Sequence, residues 1–87
     1  MNAEMTPEQR LHRYLGSIAD SVKANNFFQA AEDVAALKKL LKGQASEAAV
    51  EVQKLFPDIA DAVKKRQKEP ALQRVRAAMT IVERWLP

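Results

Sequence analysis

The most distinctive chemistry in the sequence is a run of basic residues between positions 64 and 76. Six of the 14 Lys and Arg residues fall in this run, against one acid, Glu69. Clustered cations are typical of surfaces that meet a polyanion, because neutralising phosphates releases their counterions. The candidate nucleic-acid-binding residues in the run are Lys64, Lys65, Lys68, Arg74 and Arg76.

Helical geometry reduces this run to a smaller outward surface. At about 100° per residue, Lys64, Lys65 and Lys68 share the outer face of one predicted helix. Arg66 points nearer the apolar side of that helix, where its stem can cover the core. The three lysines are therefore the predicted contact with a nucleic acid or an acidic protein face. The alternative is a solvated lysine face that only keeps the protein in solution.

The last predicted helix carries a second candidate surface. Arg74, Ile81 and Trp85 fall within about 40° of one another, to one side of the main apolar face. Trp and Arg are enriched among the residues that dominate protein–protein binding. The three residues therefore predict a protein interface, with self-association as a dimer as one form of it. In the alternative, Trp85 closes the core beneath the C-terminus.

No arrangement of residues suited to catalysis or cofactor binding emerges from the sequence. His12 is the only histidine, and no serine lies in a recognisable nucleophile elbow. Asp58 and Asp61 can share a helix side, but lysines surround them and hard cations need roughly six oxygen ligands. With two glycines the chain has no glycine-rich phosphate loop. We expect no enzyme, no cofactor, no metal and no small-molecule substrate.

Composition indicates one small globular domain. The 87 residues are 47% apolar and 29% charged, which suits a single core and excludes a disordered chain. The chain has no cysteine, so disulfides are excluded and a reducing, cytoplasmic setting is expected. No apolar run approaches the roughly 18 residues that cross a bilayer, and the N-terminus lacks the pattern of a signal peptide. We therefore expect no membrane partner.

Apolar residues recur with helical spacing throughout, which predicts an all-α fold. Thr6 and Gln9 form a capping box at the start of the first helix. Asn26 and Ser46 are suited to cap the second and third helices. Gly43 is expected to end the second helix in the left-handed conformation.

The two internal prolines predict helix boundaries. Pro57 should end the third helix and start a fourth, and Pro70 should start a fifth, because the residue before a proline avoids helical angles. One kinked helix across Pro57 is the alternative. The short connections predict a compact antiparallel bundle of four to five short helices over residues 6–87, preceded by a disordered tail at residues 1–5.

Two details of the predicted helices are unusual. Gly16 lies inside the first helix, where it costs about 1 kcal/mol relative to alanine, and the helical wheel places it opposite the apolar stripe. It either lets a partner approach closely or is a tolerated weakness. In the second helix, Phe28 and Ala35 widen the apolar face, which indicates packing by more than one neighbour.

Together these features predict a small, non-enzymatic, intracellular binding protein. We expect an adaptor or regulator that contacts another protein through the helical surface at Arg74, Ile81 and Trp85. The alternative is a nucleic-acid-binding protein, or a small subunit of a nucleoprotein complex, that uses the basic residues between positions 64 and 76.

Overall fold

The computed structural model describes residues 5–86, which form four α-helices and no strand. None of these helices is long and apolar enough to cross a membrane. Residues 1–4, most of the predicted disordered tail, and Pro87 lie outside the described residues. The helices are α1 (Pro7–Lys23), α2 (Phe27–Lys42), α3 (Glu47–Lys64) and α4 (Lys68–Glu83).

The first three helices begin where the sequence places their caps. In α1 the backbone amide of Gln9 donates to the Thr6 hydroxyl at 3.1 Å, and the Thr6 amide donates to the Gln9 side chain at 2.9 Å. This reciprocal pair satisfies two amides that a helix start leaves without partners. The side chains of Asn26 and Ser46 accept from the amides three residues further on. The predicted capping box and both other caps are confirmed.

Helix α3 continues across Pro57, so the prediction of a separate helix beginning there is wrong. A proline inside a helix removes the hydrogen bond to the carbonyl four residues earlier, here that of Gln53. Pro57 and Gln53 are both exposed, so water can hydrate that carbonyl. On the opposite side, Val52 and Ile59 are fully buried and continue a single apolar face across the proline. Burial of that face favours one helix.

The turn between α3 and α4 contains a residue in the left-handed conformation, Arg66, with φ of 57°. The amides of Arg66 and Gln67 donate to the carbonyls of Val63 and Ala62 at 3.0 and 2.9 Å, which forms a Schellman motif. Helix α4 begins at Lys68, so the predicted helix start at Pro70 is two residues too late. Arg66 is exposed in this turn, so its predicted inward position is wrong.

Gly43 does not adopt the left-handed conformation predicted for it, since its φ is −92°. Among the described residues, Asn25, with φ of 60°, takes that conformation in the α1–α2 turn, as Arg66 does after α3. Asparagine tolerates it, whereas for arginine the cost is on the order of 1 kcal/mol. In the α3–α4 turn, the hydrogen bonds therefore fix the backbone more strongly than the preference of arginine does.

The core is built from one apolar stripe of each helix. Helix α1 packs on α2 and α4, and α3 packs on the same two helices. The Cα radius of gyration is 12.2 Å, close to the roughly 12 Å of a compact chain of this length. No polar or charged residue in the described part of the chain is buried. The largest fully buried side chains are Leu11, Leu15, Ile18, Val22, Leu37, Val52, Ile59, Val75 and Val82.

Candidate functional site

The predicted protein-interface residues follow one side of α4 and its C-terminal turn. We call Arg74, Ile81 and Trp85 the α4 edge. Arg74 and Ile81 are half-buried, and Trp85 is 43% exposed. The residue after it, Leu86, is one of the partly buried apolar residues that pack against the core. The largest side chain of the protein therefore offers part of its indole ring to solvent beside a half-buried isoleucine.

The α4 edge lies on the side of α4 that faces away from α1. Glu83 Oε2 lies 3.0 Å from His12 Nε2 of α1, and Met79 is the side chain nearest to Gly16 of α1. At 100° per residue, Arg74 and Ile81 lie about 140–180° around α4 from both of these contacts. Since α4 packs on α1 and α3, the edge lies on the side of α4 away from α1 and toward α3.

The three predicted lysines lie at the α3–α4 turn and do not share one helix face. Lys64 is the last residue of α3, Lys65 is its C-cap, and Lys68 is the first residue of α4. The prediction of a common face is wrong because α3 ends before Lys65. Lys65 Nζ lies 3.2 Å from the Asp61 carboxylate, which partly neutralises it. We call Lys64, Lys65, Arg66 and Lys68 the basic turn.

The two arginines of the predicted nucleic-acid surface are separated from the basic turn and from each other. The Arg74 guanidinium donates to the carbonyl of Pro70 at 3.3 Å, which holds it along α4. Arg76 is exposed and lies about 160° around the helix from Arg74. The five predicted residues are therefore divided among the turn and two sides of α4.

Two of the residues considered for catalysis or metal binding, His12 and Asp61, have structural partners. His12 forms a hydrogen bond with Glu83 that joins α1 to α4, and Asp61 pairs with Lys65. Asp58 is exposed. Across residues 5–86, no group of three or more His, Cys, Asp or Glu side chains is placed to hold a metal ion.

A cleft of about 450 Å³ between α1 and α2 is a feature that sequence reasoning missed. The Asp33 carboxylate accepts hydrogen bonds from the hydroxyls of Ser17 at 2.9 Å and Ser21 at 3.2 Å. It also accepts one from the side-chain amide of Gln29 at 3.1 Å. These donors come from the protein itself, so the carboxylate ties α2 to α1. The spacing of Ser17 and Ser21, one helical turn apart, was the available signal. The cleft is lined by Met5, Arg10, Arg13, Tyr14, Ser17, Asp33 and Leu40.

Phe28 is the second feature that the sequence did not reveal. Its side chain is 78% exposed, the highest value for a large hydrophobic residue in the described chain. Phe28 and Ala35 were expected to widen the buried face of α2, but both are exposed. Within residues 5–86, α2 packs on α1 and α3, and no other described element covers the residues on its outer side. The unusual width of the apolar face was the signal.

Comparison with known proteins adds no functional assignment. No protein-family model matches the chain, and neither the curated proteins nor the solved structures contain a significant match. What the protein does must therefore be inferred from its own residues.

Proposed function

We propose that the protein is a non-enzymatic binding module, an adaptor or regulator, that contacts a partner protein through the α4 edge. The observation that carries this proposal is the 43% exposure of Trp85, the chain's one tryptophan, beside half-buried Ile81. Burial of an aromatic side chain in a partner's pocket removes apolar area from water, which favours association by roughly 25 cal/mol per Å² before the entropic and desolvation costs of binding are subtracted. Tryptophan and arginine are also the commonest residues at binding hot spots.

The chemistry of the α4 edge favours a particular kind of partner surface. An apolar pocket would receive the Trp85 indole, and Ile81 would continue the apolar contact toward the core. Arg74 uses one guanidinium nitrogen on the Pro70 carbonyl, and its other donors suit a carboxylate of the partner. The partner we propose is therefore a protein surface with a hydrophobic pocket and an acidic rim.

An antiparallel order of the helices is part of this proposal. Short turns favour reversal of direction between successive helices. His12 contacts Glu83, and Gly16 faces Met79, so residue numbers rise along α1 as they fall along α4. In this arrangement Trp85 and the basic turn lie at opposite ends of α4. The two candidate surfaces can then be tested independently.

Variants of exposed apolar residues test the α4 edge. Immobilised wild-type protein, Trp85→Ala and Ile81→Ala would be used to capture partners from an extract of the protein's host cells. Val50→Ala is the matched control because Val50 is 45% exposed on α3 and has no assigned role. We expect a partner that the wild type and the control retain and both α4-edge variants lose by at least about tenfold, or about 1.4 kcal/mol. Retention by all four proteins, with helical content unchanged by circular dichroism, would contradict the proposal.

Nucleic-acid binding through the basic turn is the second candidate function. Four cations occupy the five positions from Lys64 to Lys68, and a single turn displays them. If about three of them contact phosphates, the logarithm of affinity should fall with the logarithm of salt concentration with a slope of about −3.

Titration with duplex DNA and single-stranded RNA at about 50 and about 200 mM salt tests this candidate. Lys64→Gln and Lys68→Gln should each reduce the slope by about one, whereas the control Lys54→Gln on the exposed face of α3 should leave it unchanged. If no binding occurs at the lower salt concentration, or if affinity does not depend on salt, the candidate fails.

A further inference from the structure

We propose that the outer face of α2 binds the same face of a second copy of the protein. We define this α2 outer face by residues that lie within about 100° of arc on the helix. All of them are exposed, and Phe28 is 78% exposed. This self-association is independent of the proposed function, because α2 and α4 do not contact each other. The residues of the α2 outer face are Phe28, Ala31, Glu32, Ala35, Lys39 and Lys42.

The spacing along this face matches that of a helix-pairing seam. Phe28, Glu32, Ala35, Lys39 and Lys42 follow one another at intervals of four, three, four and three residues. Such intervals average 3.5, the repeat that keeps one side of a helix against a partner helix. Coiled coils place apolar residues at these positions, whereas three of the five here are charged, so pairing depends on how those charges align. A partner helix can therefore run alongside α2 over its whole length.

The order of charges along the face selects a second copy in antiparallel orientation. In a twofold interface, residue i opposes residue j and residue j opposes residue i. With the axis beside Ala35, position i opposes position 70 − i, so Lys39 lies one residue, or about 1.5 Å of helix rise, beyond the point opposite Glu32. Each Glu32 carboxylate can then reach a Lys39 ammonium of the other copy, which gives two equivalent ion pairs. A parallel pairing would instead place Glu32 against Glu32 and Lys39 against Lys39, which repel. Two copies of the α2 outer face are thus complementary in charge when their helices run in opposite directions.

Apolar contacts support the same register. Phe28 opposes Lys42 of the second copy, whose methylene stem covers the ring and whose ammonium can lie over the ring face. Ala35 opposes its own counterpart at the axis, and Ala31 lies on the same side one turn earlier. Their small side chains let the two helix backbones approach closely. The contact removes the exposed Phe28 ring from water at both ends of the interface.

Exchanging the charges at positions 32 and 39 of the full-length chain tests this antiparallel alignment of two α2 helices. Sedimentation equilibrium would measure the dimer dissociation constant of the wild type, Glu32→Lys, Lys39→Glu and the double variant that carries both changes. Each single variant places like charges opposite one another, so we expect at least tenfold weaker dimers. The double variant only exchanges the two charges, so its dissociation constant should return to within about threefold of the wild-type value. An equimolar mixture of the two single variants should likewise form heterodimers.

Two further variants separate this face from the α4 edge. Phe28→Asp should abolish the dimer, whereas Trp85→Ala should leave it unchanged. A wild type that stays monomeric up to about 0.5 mM overturns the proposal, since weaker association has little consequence at cellular concentrations. Single variants that dimerise like the wild type, or a double variant that stays monomeric while circular dichroism shows native helix content, overturn it as well. Loss of the dimer in Trp85→Ala alone would assign the contact to the α4 edge.

Discussion

Gly16 of α1 faces the end of the Met79 side chain in α4. A Cβ atom placed on the glycine would lie 3.9 Å from Met79 Cε, which is an ordinary van der Waals separation. Gly16 is half-buried at this contact between helices, although it lies about 130° around α1 from the centre of the apolar stripe. The space beside it would hold a methyl group, and the methionine end can adjust to it. Helix packing therefore does not require a glycine at this position.

Replacement of Gly16 by alanine should stabilise the protein. Glycine in a helix interior costs about 0.5–1 kcal/mol relative to alanine, and the added methyl group meets no clash. We expect Gly16→Ala to raise the free energy of unfolding by that amount, measured by urea denaturation monitored by circular dichroism. Gly43→Ala, at a glycine with negative φ, is the control and should cost less than about 0.5 kcal/mol. A destabilised Gly16→Ala would show that α1 and α4 approach more closely than described.

Replacement of Pro57 by alanine should also be stabilising. In the interior of one continuous α3, alanine restores the hydrogen bond to the Gln53 carbonyl and removes the proline's steric conflict. Since Pro57 and Gln53 are both exposed, we expect the free energy of unfolding to rise by about 1–3 kcal/mol, measured by thermal or urea denaturation. If α3 were instead two helices with Pro57 at the start of the second, alanine would be neutral or destabilising.

The left-handed conformation of Arg66 predicts an unusual substitution pattern. Glycine adopts positive φ without strain, so Arg66→Gly should be more stable than Arg66→Ala by about 1 kcal/mol. Both variants lose the same charge. The difference between their free energies of unfolding therefore reports the backbone conformation at position 66 and not the lost charge. Equal free energies of unfolding for the two variants would contradict the Schellman turn between α3 and α4. Chemical denaturation at one pH and salt concentration provides the comparison.

The hydrogen bonds of Asp33 should contribute to the contact between α1 and α2. Hydrogen bonds to a charged group contribute more than neutral ones, but this group is only half-buried, so we expect Asp33→Ala to cost about 1–2 kcal/mol. A double-mutant cycle with Ser17→Ala should give a coupling energy of about 0.5–1 kcal/mol. Arg13→Ala is a suitable control, because Arg13 is exposed on α1 and its guanidinium donates to Met5 Sδ at 3.7 Å. Additive effects of Asp33→Ala and Ser17→Ala would rule out the described bond.

The parts of the fold that could be predicted from the sequence are those with local causes. The capping box of Thr6 and Gln9 and the cap at Ser46 depend on residues three positions apart, so the sequence contains all the information they need. The stripe of α1 that includes Leu11 and Leu15 was visible for the same reason, because one face of a helix follows from spacing alone.

The parts that could not be predicted depend on distant neighbours. A local rule favoured a break at Pro57, but burial of Val52 and Ile59 against other helices maintains a single helix. A helical wheel shows how wide an apolar face is and not which elements cover it, so Phe28 was placed in the core. The common helix face predicted for Lys64, Lys65 and Lys68 is wrong because the packing of α3 and α4 decides where the turn between them lies, and a helical wheel does not contain that information.

Photocrosslinking from position 85 tests most directly whether the α4 edge binds a partner. A benzophenone-bearing phenylalanine analogue would replace Trp85 in one protein and Val50 in a second, and both would be irradiated in an extract of the host cells. We predict a discrete adduct from position 85 that position 50 does not give and that Ile81→Ala suppresses. No adduct from position 85, or the same adducts from both positions, would contradict the assignment of the α4 edge as the binding surface.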